Sequence, residues 1–270
     1  MIKSSITITF VPEITNGPFV FPGNLEQSCK TISELGFDGV ELFILDPTKF
    51  SDDTIRPVLE KYQLELAALG TGAAYGLEGL SLSSSDKAVR TCAVQRIKEH
   101  IHLAAPFKSR IIIGSMRGKV ESGVSREDTE AWLAESLHAC LDDGKKHGVR
   151  VFLEAINRYE TNLLNSVGET AQYLAANELT GIKILADMFH MNIEDVSFRE
   201  SILENRDVIG HIHFVDSNRK AVGYGHIDAA EVVNALKEIG FDGYLSGEIL
   251  PLPTPEEAAK MTIESFKKLV

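Results

Sequence analysis

The chain is 270 residues long and 44% hydrophobic, enough to fill one parallel barrel, an architecture that runs to about 250 residues as a single unit. Its formal charge of −12 and pI near 5.2 oppose attraction to nucleic acid phosphates, and no long basic run offsets them. Cys29, Cys92 and Cys140 are odd in number and lack C-x-x-C spacing, which excludes a disulfide framework and a thiolate zinc site.

From the N-terminus, short β-branched and apolar runs alternate with longer stretches of helical period, the sign of repeated βαβ units and a parallel sheet. Strands are predicted at 5–10, 39–43, 64–69, 111–114, 151–154, 182–187, 209–215 and 244–248. Helices are predicted at 25–35, 52–62, 86–104, 126–147, 167–177, 198–204, 229–239 and 255–268. Ser51 and Ser125 precede acidic first turns that suit a helix N-terminus. The phrases Leu35-Gly36-Phe37-Asp38-Gly39 and Ile239-Gly240-Phe241-Asp242-Gly243 echo each other before two strands, as one left-handed αβ turn used twice would require. Together these elements read as an α/β chain folded as a single (β/α)8 TIM barrel over residues 1–270. The start lacks an apolar segment behind a basic cluster, and no stretch nears the roughly 18 apolar residues of a membrane span. A cytoplasmic protein with no membrane partner and no nucleic acid partner is therefore expected.

Four residues able to bind a divalent metal stand at the ends of four successive predicted strands: Glu154, Asp187, His213 and Glu248, spaced 33, 26 and 35 residues apart. Each spacing is about one βα unit, so a closed parallel barrel would point all four into one mouth, the face where this architecture hosts its active sites. Alone, each could be a salt-bridge partner in a loop. As a set of three carboxylates and one imidazole they suit Mn²⁺, with Co²⁺ or Mg²⁺ as alternatives, and two open positions could take neighbouring sugar oxygens. His211 and His213 share a side of their strand at period two, so the deeper His211 is expected to be a buried, hydrogen-bonded core histidine. His226 falls in the following loop, while His100, His102, His138 and His147 fall on outer helices and read as structural or solvated.

The words around the four ligands carry a resemblance. Leu153-Glu154-Ala155-Ile156-Asn157-Arg158-Tyr159-Glu160, Asp187-Met188-Phe189-His190-Met191-Asn192, His213-Phe214-Val215-Asp216-Ser217-Asn218-Arg219 and Gly247-Glu248 resemble the ketose 3-epimerases of the xylose-isomerase-like superfamily. Leu69-Gly70-Thr71-Gly72, Gly79-Leu80-Ser81-Leu82, Ile113-Gly114 and Arg117-Gly118 look like its 5-keto-L-gluconate epimerase branch. The resemblance implies that the four ligands hold the metal and that Glu154 and Glu248 double as the catalytic acid/base pair. It implies that Glu160, His190 and Arg219 hydrogen-bond the substrate near its carbonyl, and that the chain forms a homodimer or homotetramer. Bland alternatives stand beside these roles: Glu160 could pair with Arg158 or Lys220, His190 could cap a turn, and Arg219 could face solvent.

The implied chemistry is sound. A metal bridging a carbonyl oxygen and its neighbouring hydroxyl stabilises the enediolate formed when the intervening carbon loses a proton. Two acids on opposite faces can remove and return that proton, inverting the carbon next to the carbonyl of a ketose or keto sugar acid. Return to the other carbon would instead make an aldose–ketose or hydroxypyruvate-type isomerase, and an endonuclease-like metal phosphodiesterase is the more distant alternative. Arg117, just past the fourth strand, is expected to hold a substrate carboxylate bidentately, with a salt bridge beside a helix as its other reading. With the branch resemblance it favours a sugar acid. Lys108 and Arg110 precede that strand and belong to the opposite face.

Overall fold

A computed structural model describes residues 1–270 as eight parallel strands closed in sequence order, β1-β2-β3-β4-β5-β6-β7-β8, with β1 pairing β8. The chain runs β1 (Lys3–Thr9), α1 (Leu25–Leu35), β2 (Gly39–Phe43), α2 (Asp52–Tyr62), β3 (Glu65–Gly70), α3 (Ala73–Glu78), α4 (Lys87–Ala104), β4 (Arg110–Ile113) and α5 (Arg126–His147). It continues through β5 (Arg150–Glu154), α6 (Val167–Ala176), β6 (Lys183–Asp187), α7 (Met188–Glu194), α8 (Phe198–Glu204), β7 (Ile209–His213), α9 (Ala229–Glu238), β8 (Tyr244–Gly247) and α10 (Pro255–Leu269). No helix is long and apolar enough to cross a membrane.

The predicted strands and long helices are all present, because β-branched apolar runs alternate with longer stretches of helix-forming residues. Ser125 caps α5 by accepting the Asp128 N–H at 3.0 Å. The echoed glycines do the same work: Gly36 at φ 88° and Gly240 at φ 66° each turn a helix end left-handed, and Phe37 and Phe241 close the turns with N–H bonds back to Ile32 and Leu236. Two short helices had no periodic signal. α3 lies between Gly72 and Gly79, and α7 follows β6 with no intervening loop, capped by Asp187, whose Oδ1 accepts the Phe189 N–H at 2.7 Å.

The larger apolar core lies between sheet and helices. A smaller cluster of Ala68, Ile112, Phe152 and Leu185 has the strand parity of Gly70, Gly114, Glu154 and Asp187, so it plugs the barrel interior one layer below the mouth. Register does the rest of the positioning. A shift between β6 and β7 leaves Gly210 unpaired, and beyond it Leu185 pairs with His211 and Asp187 with His213.

Candidate active site

Glu154, Asp187, His213 and Glu248 meet at the mouth, with one ligand atom from each lying within 4.8 Å of the others and all four side chains buried. His213 is the hub. Its Nδ1 stands 3.3 Å from Asp187 Oδ2, 3.6 Å from Glu248 Oε2 and 3.7 Å from Glu154 Oε1. Backbone crowding shapes the pocket wall too: a Cβ on Gly114 would stand 2.5 Å from Glu154 Oε2, so the carboxylate occupies space that only glycine leaves.

Three carboxylates this close, away from water, resist ionising together. Burial, helped by Glu248 and Asp187, pushes Glu154 up to about 8 against the pull of His213, and burial also raises Glu248. Burial works the same way on Asp187, but His190, its His213 hydrogen bond and Arg219 outweigh it and hold that group at about 2. His213 is lifted well above the usual imidazole range because Glu248, Glu41 and Asp187 overcome its burial. Such a donor set, rich in charged oxygens with one imidazole, fits a hard or borderline divalent cation.

Glu41 is the residue that sequence reasoning missed. It sits inside β2 and receives both histidines of β7: His211 Nε2 at 2.9 Å from Oε2, His213 Nε2 at 3.3 Å from Oε1, with the Thr7 hydroxyl donating to Oε1 at 3.1 Å. Burial opposes its charge, but the two imidazoles prevail and hold its carboxyl well below the ordinary range. By accepting the Nε2–H of His213 it orients the ring so that Nδ1 faces the three carboxylates, where it donates to Asp187 in the metal-free chain and would be free to ligate an ion once that proton leaves. An acid in the middle of an apolar strand, Val40-Glu41-Leu42, was the available signal. His211 is fully buried on Glu41, as its place one layer deeper implies. Glu41→Gln should weaken divalent-metal affinity about 10–100-fold while leaving the barrel folded, measured by calorimetric titration.

Glu160, His190 and Arg219 ring the same cavity, whose volume is about 240 Å³. Asn157 Nδ2 donates to Glu160 Oε1 at 3.3 Å and to His190 Nδ1 at 2.6 Å, which leaves the His190 proton on Nε2, 3.6 Å from Glu154 Oε1. Burial drops His190 to about 4, so the ring is neutral. Arg219 takes a left-handed backbone (φ 60°), lies over the Phe189 ring, and bridges Glu160 at 3.2 Å and Glu248 at 3.1 Å. Arg158 and Lys220 are not the partners of Glu160; Arg158 pairs with Glu194. The Arg219 loop is held by buried Asp216, whose carboxylate accepts the N–H groups of Ser217, Gly223 and Ile227.

Arg117 departs from expectation. It is fully buried and does not line the cavity; its guanidinium donates to the backbone carbonyls of Glu154 and, at 3.4 Å, Ile156. The reason is that strand β5 ends there, leaving carbonyls that a nearby planar donor satisfies better than solvent could. Neither a mouth contact nor a salt bridge results. Arg117→Ala should therefore cost about 3 kcal/mol of stability through orphaned carbonyls and lost packing, and should reduce turnover of neutral and carboxylated ketoses alike; a selective loss on the carboxylated ones would contradict this placement.

Residues 29–269 match the family profile described as Xylose isomerase-like TIM barrel. The L-ribulose 3-epimerase of Mesorhizobium japonicum is 31% identical over 229 residues, covering 83% of this chain and 75% of that one. The 3-dehydro-D-guloside 4-epimerase of Escherichia coli is 25% identical over 239 residues, covering 86% and 89%. Among solved structures, a D-allulose 3-epimerase from Methylomonas sp. in complex with D-allulose superposes with a TM-score of 0.83 at 22% identity, covering 99% of this chain and 98% of that one, a likeness of fold.

Proposed function

The chain belongs to the xylose isomerase-like TIM barrel family and is an isomerase acting on carbohydrates; within that class we propose a divalent-metal-dependent epimerase that inverts the carbon next to the carbonyl of a ketose. The observation that carries this reading is the convergence of two glutamates from separate strands on one small cavity. Glu154, Asp187, His213 through Nδ1, and Glu248 would hold the ion, with Mn²⁺ the favoured occupant and Co²⁺ or Mg²⁺ alternatives. When bound, the cation supplies positive charge that stabilises the substrate oxygens as the neighbouring proton leaves.

Glu154 ends β5 and Glu248 follows β8, three strands further round the ring, so the two approach the cavity from different sides. One withdraws the carbon-bound proton and the other delivers a proton to the opposite face, which inverts the centre. His190 Nε2–H and the Arg219 guanidinium donate to substrate oxygens, and Glu160 accepts from a hydroxyl; together they fix the ring of reacting atoms between the two acids. Phe19, stacked on Phe43 at 4.4 Å, and Ile156 wall the cavity and exclude water.

Arg219 is the one arginine or lysine lining the cavity, and it is already engaged by two carboxylates. With Arg117 turned away, a substrate carboxylate finds no free partner there, which favours a neutral ketose or ketoside over a sugar acid. The test is proton NMR in deuterated water with Mn²⁺, on neutral ketoses and keto sugar acids side by side. Deuterium at the carbon next to the carbonyl, with both epimers appearing and neutral ketoses turned over faster, supports the reading; an aldose product without inversion would replace it with an isomerase.

A further inference from the structure

At the opposite end of the barrel, the C-terminal turns of α4 and α5 bring His102, Asp143 and His147 together. Asp143 and His147 are four residues apart on α5, so they stack on one face, and His102 faces them from the last turn of α4. His102 Nε2 stands 3.1 Å from Asp143 Oδ2, His147 Nδ1 stands 3.6 Å from the same oxygen, and the two imidazole rings are 4.5 Å apart. Ligand atoms around a tetrahedral ion with bonds of about 2.0–2.1 Å lie roughly 3.3 Å from one another, and the measured separations straddle that value.

A second observation concerns the carboxylate. Asp143 is only 13% exposed, and its Oδ2 is shielded from solvent yet takes part in no hydrogen bond, although buried polar oxygens are ordinarily satisfied. That oxygen is the point on which both imidazoles converge. We infer that His102, Asp143 and His147 form a second divalent-metal site, separate from the barrel mouth, that takes Zn²⁺ or a similar borderline ion through two imidazoles and one carboxylate, with water in the fourth position. The donor set differs in kind from the mouth, where three carboxylates favour harder ions; two imidazoles favour Zn²⁺. His147 Nδ1 also lies 3.0 Å from the Asp143 carbonyl oxygen, so it donates there in the free chain, and ligation moves its proton to Nε2 or turns the ring. An ion held between α4 and α5 staples two outer helices, so its effect falls on stability.

The experiment uses the whole chain, stripped with chelator, saturated at the mouth with Mn²⁺ and then titrated with Zn²⁺. The probes are bound metal per chain and the melting temperature. The proposal expects one Zn²⁺ per chain beyond the mouth ion and a melting point raised by several degrees, with both effects absent in His102→Ala/His147→Ala. These side chains are 53% and 38% exposed, so the double variant should fold; Asp143→Asn, which keeps the shape and removes the charge, serves as the second variant and should lose the same ion. Equal Zn²⁺ uptake and equal melting shifts in wild type and variants would overturn the site and leave the cluster an ordinary imidazole–carboxylate contact. Displacement of Mn²⁺ from the mouth with no additional ion bound would overturn it as well.

Discussion

Glu248→Gln should lower turnover about 10³-fold, within the 10²–10⁴ that a positioned acid or base contributes, while leaving the fold intact. Glutamine keeps the shape and one oxygen donor but can neither take up nor deliver the proton. Glu248 is one of three mutually repelling buried carboxylates, so removing its charge relieves repulsion even as Arg219 loses a partner at 3.1 Å, and the metal-free melting temperature should hold. The stereochemistry of the residual activity is diagnostic. With Glu154 still in place, the epimer whose proton faces Glu154 should exchange with deuterated water yet fail to invert, and Glu154→Gln should show the reverse preference. Metal content measured alongside separates lost proton transfer from lost ion. Turnover within tenfold of wild type at full metal occupancy would remove Glu248 from the acid/base pair.

Stripping divalent metal should make the protein lose stability as pH rises from 6.5 to 8, by about 2 kcal/mol. Glu154 titrates near 8 in the folded chain against 4.5 when exposed, so folding retains a proton that unfolding releases; its contribution is complete below 4.5 and is lost as pH climbs through 8. His213, lifted above 6.5, and Glu248, also raised, act with the same sign. His190 and His211, held near 4 by burial, act oppositely, stabilising above 6.5 and failing as pH falls through 4. Above about pH 7 those two are largely neutral in both states, so Glu154, Glu248 and His213 set the slope. Mn²⁺ should reverse it, because ligation needs the ionised carboxylates and strengthens as protons leave. Urea unfolding at pH 6.5 and 8, with chelator and with Mn²⁺, measures both slopes; a metal-free stability that is flat or rising over this interval would refute the crowding of unshared carboxylates.

The strands and the convergence of four polar residues at the mouth were legible because each follows from a short-range rule. Period two decides which side a residue takes, and βα spacing decides which strand end it occupies, so Glu154, Asp187, His213 and Glu248 converge once the ring closes. The motif words also named Glu160, His190 and Arg219, and all three line the cavity. Their mutual bonds were not legible. Whether Glu160 meets Arg158, Lys220 or Arg219 depends on the paths of two loops, one pinned locally by Asn157 and the other by Asp216, which meet only across 59 residues of sequence.

Arg117, Glu41 and His102 mark the boundary between the two kinds of knowledge. A guanidinium on a flexible stem goes wherever acceptors lack partners, and no local pattern discloses that the free carbonyls are those of Glu154 and Ile156. Glu41 gains its place because two histidines from the far side of the sheet, 170 and 172 residues away, arrive at its oxygens. His102 and His147 read as solvated until helix packing sets them on one carboxylate. Backbone periodicity is written in neighbouring residues, so the chain announces it directly; the pairing of buried charges is a competition among all groups brought within reach, and that competition has no outcome until the barrel has closed.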